Sequence, residues 1–252
     1  MRSLGTLDHL RILMRRLSYT VLPGTCVGCQ ALLSDNQTPF FCDSCWEAIK
    51  PLSGPACLRC GRPFASAIAL LYSPTHICGP CRMVKPAYRR AFSLYAYEPP
   101  LREAIHAFKY RKNLAIGETL ECLFVHALPR DVEVDLVIPV PLAPDRLRDR
   151  EYNQSLRLAQ AAARVLHTPM DYGHLQRRSG GTPQTSLPRQ ARLLNLRRSF
   201  TVHAAEALQG RRILLIDDVL TTGTTVNECA KALRRAGSGD ITVVTLARTL
   251  SD

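Results

Sequence analysis

The chain has 252 residues and a mass of 28.0 kDa, room for one full-sized globular domain of roughly 150 residues plus a smaller module, which excludes a single miniature scaffold. Hydrophobic residues make up 46% and charged residues 21%, so a buried core is expected and a disordered or fibrous chain is excluded. With 33 basic against 21 acidic residues the net charge is +12 and the pI near 9.5, which points to polyanionic partners such as nucleic acid or phosphorylated metabolites.

Arginine supplies 28 of the basic residues and lysine 5. Guanidinium forks grip phosphate oxygens in pairs where an ammonium offers a point charge. A GC-rich genome produces the same bias, and composition does not separate the two. At the start of the chain Leu7, Leu10, Met14 and Leu17 recur at helical spacing, so residues 1–22 are read as an N-terminal packing helix. Asp8, His9 and Arg15-Arg16 interrupt any signal-peptide core, and no run of about 18 apolar residues occurs, so no membrane span and a cytoplasmic location are expected.

Four Cys-x-x-Cys pairs follow: Cys26/Cys29, Cys42/Cys45, Cys57/Cys60 and Cys78/Cys81. Each tight turn presents two thiolates to one ion, and two turns complete a tetrahedral zinc site, so four turns make two structural Zn²⁺ sites. Consecutive pairing leaves 12 and 17 residues between turns, which are zinc-ribbon lengths; interleaved pairing stays open. Disulfides conflict with the missing secretion signal. A thioredoxin-like dithiol would be single and would open a helix. Residues 23–90 hold few large hydrophobes, so the metal's binding energy would supply much of their folding energy. Phe40, Phe41, Trp46 and Tyr72, with Arg59, Arg62, Arg82, Lys85, Arg89 and Arg90, either stack on bases and bind phosphates or form a small core and a solvated face. His76 stands near the ligand Cys78, but four cysteines already fill that site. Cys122 and Cys229 are expected to be small buried hydrophobes.

From residue 91 the pattern alternates strands and helices. Strands are expected at 92–97, 135–140, 212–216 and 241–246, and helices at 100–110, 114–128, 152–166 and 225–236. Such alternation predicts an α/β fold with a mostly parallel sheet covered on both faces, whose ligands bind at the carboxyl ends of the strands. His106 falls within an apolar helical pattern and is read as structural rather than as a general base. The stretch from His174 to Arg212 carries eight arginines and one acid, Glu206. It is read as a basic loop, mobile over parts of residues 182–192. Phe108-Lys109-Tyr110-Arg111-Lys112 is a second basic, aromatic cluster.

At one strand end the sequence becomes specific. After Ile213-Leu214-Leu215-Ile216 come Asp217 and Asp218, then Thr221-Thr222-Gly223-Thr224-Thr225 and a helical pattern. Free N–H groups and the dipole at a helix start favour phosphate, Gly223 allows close approach, and threonine hydroxyls donate to phosphate oxygens. Two acids beside an anion site suit the vicinal hydroxyls of a sugar phosphate. Upstream, Pro139-Val140-Pro141 ends a strand in a constrained loop, and Arg146, Arg148, Arg150, Tyr152, Asn153 and Gln154 follow; of these, Arg150 is favoured for a phosphate role.

The Asp217–Thr225 segment resembles the phosphoribosyl pyrophosphate (PRPP) signature of type I phosphoribosyltransferases. The whole arrangement resembles the ComF/GntX family of double-zinc-ribbon, phosphoribosyltransferase-like proteins, through the four cysteine turns, Phe108-Lys109-Tyr110, Pro139-Val140-Pro141-Leu142, Arg150-Glu151-Tyr152-Asn153-Gln154, residues 190–195 and the threonine loop. Where that family usually has glycine, Glu151 makes the loop stiffer and more negative. The resemblance implies that Asp217 and Asp218 hold the ribose 2′ and 3′ hydroxyls and that Thr221, Thr222, Gly223, Thr224 and Thr225 wrap the 5′-phosphate. It also implies that the Pro139-Val140-Pro141 backbone and Arg150 meet the pyrophosphate, carried with Mg²⁺. Implied partners are PRPP, single-stranded DNA and competence-machinery proteins, and a homodimer is allowed. Two functions remain open: a PRPP-binding protein serving DNA uptake and single-stranded DNA handling in natural transformation, or an active phosphoribosyltransferase acting on an unidentified nitrogenous acceptor in nucleotide metabolism. The expected organisation is a helix at 1–22, a double zinc ribbon at 23–90 and a phosphoribosyltransferase-like domain at 91–252.

Overall fold

The computed structural model describes residues 24–33, 38–110, 115–150, 152–178 and 199–250. The helix expected at 1–22, residues 190–195 and the mobile loop expected within 182–192 lie outside the described residues. In chain order the elements are α1 (Asp43–Ala48), α2 (Ile68–Tyr72), α3 (Gly79–Met83), β1 (Arg90–Ala96), α4 (Leu101–Tyr110), α5 (Ala115–Ala127), β2 (Leu136–Pro139) and α6 (Pro144–Arg150). Then come α7 (Gln154–Leu166), β3 (Leu175–Arg177), β4 (Phe200–Val202), a 3-10 turn (Ala205–Leu208), β5 (Ile213–Leu220), α8 (Thr224–Arg235) and β6 (Ile241–Arg248). Two compact units are present, Met1–Lys50 with Glu98–Thr119 and Pro51–Tyr97 with Leu120–Asp252. Among the described residues no helix is long and apolar enough to cross a membrane.

The second unit is built on a four-stranded sheet of order β1-β6-β5-β2, parallel throughout. Its central strands are near-continuous apolar runs because both faces are covered: Ile213, Leu214, Leu215 and Ile216 are fully buried, as are Ile241, Val243 and Val244. Burying a side chain of this size contributes roughly 1.5–3 kcal/mol, so register errors in β5 are strongly disfavoured and the residues at its end are held in place. The structure lengthens β5 beyond the expected 212–216: pairing with β6 continues through Asp217↔Thr245 to Leu220↔Arg248. The two acids therefore lie in the second half of a strand rather than at the start of a loop, because β6 is long enough to keep bonding beyond them.

α7 packs an apolar stripe of Leu158, Ala159, Ala161 and Ala162, and its half-buried Arg157 pairs with Glu121 of α5 at 2.6 Å. Asn153 caps the helix by accepting from the Ser155 N–H at 3.0 Å. Within the segment expected to be loop, β3 and β4 form an antiparallel pair from Leu175↔Val202 to Arg177↔Phe200. Arginine-rich composition hid this pair; Leu175 and Phe200 are buried in the sheet's own core cluster. Of the lone cysteines Cys229 is buried as expected, whereas Cys122 is exposed, since it falls on the outer face of α5. His106 is also exposed, its ring 5.4 Å from that of Tyr110.

Candidate functional site

The cysteines gather into two groups, Cys26/Cys29/Cys42/Cys45 and Cys57/Cys60/Cys78/Cys81, with all sulfurs of a group within 4.8 Å of one another. The groups are the consecutive pairs, and one lies in each compact unit. Cys29 and Cys42 Sγ are 3.6 Å apart, as are Cys60 and Cys78 Sγ. A zinc ion with Zn–S of about 2.3 Å needs sulfurs roughly 3.8 Å apart at tetrahedral angles, so both donor sets fit zinc. Backbone N–H groups aim at the sulfurs, Cys42 N to Cys26 Sγ at 3.4 Å and Cys78 N to Cys57 Sγ at 3.3 Å, which stabilises thiolate. The Ser44 hydroxyl, then the Cys45 N–H, draw the Cys42 thiol down to about 6. At Cys57 burial opposes ionisation, but the N–H groups of Cys60, Cys78 and Arg59 outweigh it and bring the thiol to about 7. Burial and the neighbouring thiolates Cys60 and Cys57 push Cys81 well up. His76 is no ligand: its ring sits edge-on to Phe64 at 5.3 Å. In the first unit the buried Phe41 and half-buried Trp46 have ring centroids 5.9 Å apart, a small local core.

The second feature is the crevice at the carboxyl ends of β2 and β5, which are neighbours in register at Pro139↔Ile216. Val140 N donates to Ile216 O at 2.8 Å, so the Pro139-Val140-Pro141 turn stands directly beside Asp217. Asn153 Nδ2 donates to Val140 O at 3.1 Å, and Ser155 Oγ donates to Asp217 Oδ1 at 2.9 Å. The same carboxylate oxygen accepts the Asp218 N–H at 2.9 Å. The start of α7 thus ties the β2 turn to the acid on β5. Sequence reading reached Asn153 but missed Ser155, because only the packing of α7 on the sheet brings a residue 62 positions away to Asp217.

Beyond β5, Thr221 and Thr222 are exposed, and Gly223, Thr224 and Thr225 half-buried. Gly223 is the N-cap of α8 with φ +76°, a conformation that disfavours any residue with a Cβ. Thr222 and Thr224 hydroxyls lie 2.8 Å apart, and the N–H groups of the first turn of α8 converge on this loop. Asn227 Oδ1 accepts from Ala87 N at 2.8 Å, pinning the helix start to the segment that enters β1. Arg177, on β3, has its guanidinium 5.5 Å from the Phe200 ring centroid. Burial, then the like charge of Arg146 on α6, holds it below its ordinary range, while Asp217 acts in the opposite direction. Arg177 was not singled out by sequence reading, since it reaches the crevice only through the β3–β4 pairing. The Arg150 side chain lies outside the described residues.

Between the second cysteine group and the threonine loop is a cavity of about 260 Å³, lined among others by Cys60, Tyr88, Thr221, Gly223 and Arg248. Arg82 and Lys85, in and just after α3, are exposed; Arg89 and Arg90 are exposed at the opposite, amino end of the sheet, where Arg89 pairs with Asp240 at 2.8 Å.

Two four-cysteine groups, together with a parallel sheet that carries two acids and a threonine loop at its carboxyl edge, define the class: double zinc-ribbon proteins carrying a phosphoribosyltransferase-type α/β domain. The double zinc ribbon domain family matches residues 17–82 and the phosphoribosyl transferase domain family residues 153–252. The DNA utilization protein YhgH of Shigella flexneri is 32% identical over 241 residues, covering 91% of this chain and 99% of its own. Competence protein F of Haemophilus influenzae is 34% identical over 215 residues, covering 82% and 90%. The chain belongs to the ComF/YhgH family. Among solved structures, the adenine phosphoribosyltransferase of Thermoanaerobacter pseudethanolicus aligns with 55% of this chain and 83% of its own at 17% identity and a TM-score of 0.35.

Proposed function

We propose that the protein binds PRPP, as its magnesium complex, in the crevice at the ends of β2 and β5, and that this pocket serves the handling of single-stranded DNA during uptake. The observation that carries the reading is the convergence of Asp217 and Asp218 with the Val140 turn and the start of α8, held by the Ser155–Asp217 hydrogen bond of 2.9 Å. In this assignment Asp217 and Asp218 accept from the ribose 2′ and 3′ hydroxyls, and Thr221, Thr222, Gly223, Thr224 and Thr225 enclose the 5′-phosphate. The Pro139-Val140-Pro141 backbone, with Arg146, Arg150 and Arg177, meets the pyrophosphate. Arg146 and Arg177 stand near enough to repel one another, an arrangement that an anion between them would relieve. The eight cysteines hold two structural zinc ions. The link to DNA rests on the names of the relatives, DNA utilization protein and competence protein F, and on the exposed arginines beside the second ribbon, which would follow a phosphate backbone.

Phosphoribosyl transfer is the second reading, and the cavity adjoining the threonine loop favours it, because a transferase needs room for an acceptor next to the sugar. The test is calorimetric titration of the zinc-loaded chain with Mg²⁺ and PRPP, beside Asp217→Asn/Asp218→Asn. The double variant is expected to lose binding and keep its zinc. Equal binding by both proteins removes the carboxylates from the site. A parallel anisotropy titration with single-stranded DNA is expected to weaken steeply with salt; salt-independent binding refutes the backbone-tracking role.

A further inference from the structure

The 260 Å³ cavity contains a polar group that the phosphate loop does not need. Arg248, the last residue of β6, is 3% exposed. One guanidinium nitrogen, Nη1, donates to Cys60 O at 2.7 Å, while Nε is buried with no acceptor among the described residues. A buried charged donor left unsatisfied is expensive, and such a group marks a place where a partner is missing.

Position across the sheet says what the partner is. β6 and β2 flank β5 on opposite sides, and Arg248 lies opposite Leu220, at the end of β5. If the sugar is held at the end of β5 and the pyrophosphate at the turn after β2, the end of β6 is the side from which a nucleophile reaches C1 opposite the leaving group. The cavity shares Thr221–Thr224 with the phosphate loop, so its occupant abuts the sugar. Its volume suits a single substituted ring and is below the roughly 300–1,000 Å³ of sites for larger ligands. Tyr88 and Pro86 supply flat apolar walls, and Arg62 adds a second guanidinium.

We propose that this cavity is the acceptor site and takes a planar nitrogen nucleophile carrying a carboxylate, with Arg248 as the carboxylate anchor and the turns of the second cysteine group as one wall. The inference rests on the PRPP reading above. In the transfer, the C1–O bond to pyrophosphate breaks and pyrophosphate leaves with the electron pair. The acceptor nitrogen forms the new C1–N bond and gives up its proton to water. Arg248 orients the ring and takes no part in the bond changes; the second zinc ion would shape the cavity by holding Cys60, Cys78 and Cys81 in place.

The experiment is calorimetry on the full zinc-loaded chain with three probes, 4-aminobenzoate, anthranilate and orotate, and with 4-aminobenzamide as a neutral control. Each is titrated with and without saturating ribose 5-phosphate, and Mg²⁺-PRPP is titrated separately. At least one carboxylate is expected to bind together with ribose 5-phosphate, and the amide to bind at least about tenfold more weakly than 4-aminobenzoate, the loss expected for one charge-assisted pair. Arg248→Lys is expected to keep part of the carboxylate preference and Arg248→Gln to lose it. Because Arg248 is buried, Val84→Trp is the second variant: Val84 lines the cavity but is 71% exposed, so the substitution fills the space without burdening the fold. It is expected to block the carboxylate and leave Mg²⁺-PRPP affinity unchanged. If Mg²⁺-PRPP binds and no carboxylate does, or if carboxylate and amide bind alike, the acceptor assignment falls and the PRPP reading stands. Competition between the carboxylate and ribose 5-phosphate makes the cavity the phosphate's own seat and also overturns it. Failure of the wild type to bind Mg²⁺-PRPP overturns the underlying reading and the acceptor assignment with it.

Discussion

The turn of the second ribbon is pinned against β1, and three glycines allow that contact to be separated from backbone strain. Gly61 has φ +67°, and a Cβ added there would lie 2.5 Å from Ala91 O, a main-chain atom that cannot swing aside. Gly54 has φ +94° with nothing within 4 Å, and Gly79 has neither a left-handed backbone nor a neighbour within 4 Å. Forcing an L-residue into the left-handed region costs about 1–2 kcal/mol, and overpacking against a rigid neighbour adds about 1–3 kcal/mol. Gly61→Ala is therefore expected to lose about 3 kcal/mol, which for a domain of this size is roughly 6–12 °C in Tm. Gly54→Ala should lose about 1–2 kcal/mol, the strain alone, and Gly79→Ala should stay within about 1 kcal/mol of the wild type or gain slightly. Thermal unfolding of the zinc-loaded proteins by circular dichroism, with zinc analysis of the same samples, reads all three. If Gly61→Ala matches Gly54→Ala, the ribbon turn is not packed on β1, and the view of the second cysteine group as part of the wall around the threonine loop is wrong.

Metal analysis is expected to find two zinc ions per chain, and Cys29→Ser/Cys42→Ser to lose one. Loss of both would mean that the sites interleave, contrary to the clusters seen. Ser155→Ala removes a hydrogen bond to a charged group, so PRPP affinity should fall about tenfold with zinc content unchanged; unaltered affinity would show that Asp217 needs no positioning. Asp135 accepts from Arg212 Nη2 at 2.7 Å and from its backbone N–H at 2.9 Å, and these bonds lower its pKa to about 2. A depressed carboxylate stabilises the fold above its unfolded value of about 3.9 and loses that contribution as pH falls through the folded value. The advantage of wild type over Asp135→Asn in thermal melts should hold at pH 7 and shrink between about pH 4 and 2; a gap constant with pH would refute the pairing.

Much of the site was readable from residue types at fixed spacing. Two thiolates one turn apart have few uses without metal, and two acids after a four-residue apolar strand, followed by a threonine-rich helix start, are the pattern on which the proposal of a phosphorylated sugar rests. What escaped reading depends on partners far away in the chain. The arginine-rich stretch conceals the β3–β4 pair because its strand signal is three residues on each side, too short for periodicity to register. The end of β5 looked like a loop because its two acids break the apolar run, and only the eight-residue β6 beside it keeps the ladder going. Cys122 is exposed because the face an α5 residue presents is set by packing on the sheet, not by its own hydrophobicity.

The sequence by itself determined the chemistry: eight thiolates in Cys-x-x-Cys turns, an α/β alternation, and an acid pair leading into a phosphate-type helix start. These are local, since each ligand pair or loop lies within a few residues and carries its geometry in its own turn. The tertiary structure alone decided which turns share a metal, that Ser155 and Asn153 join Asp217 to the β2 turn, and that Arg248 ends β6 as a buried guanidinium lining a cavity, its Nε without an acceptor among the described residues. Those contacts join residues 13 to 188 positions apart. They exist only once burial of the β5 and β6 side chains has fixed the register of the sheet that carries them.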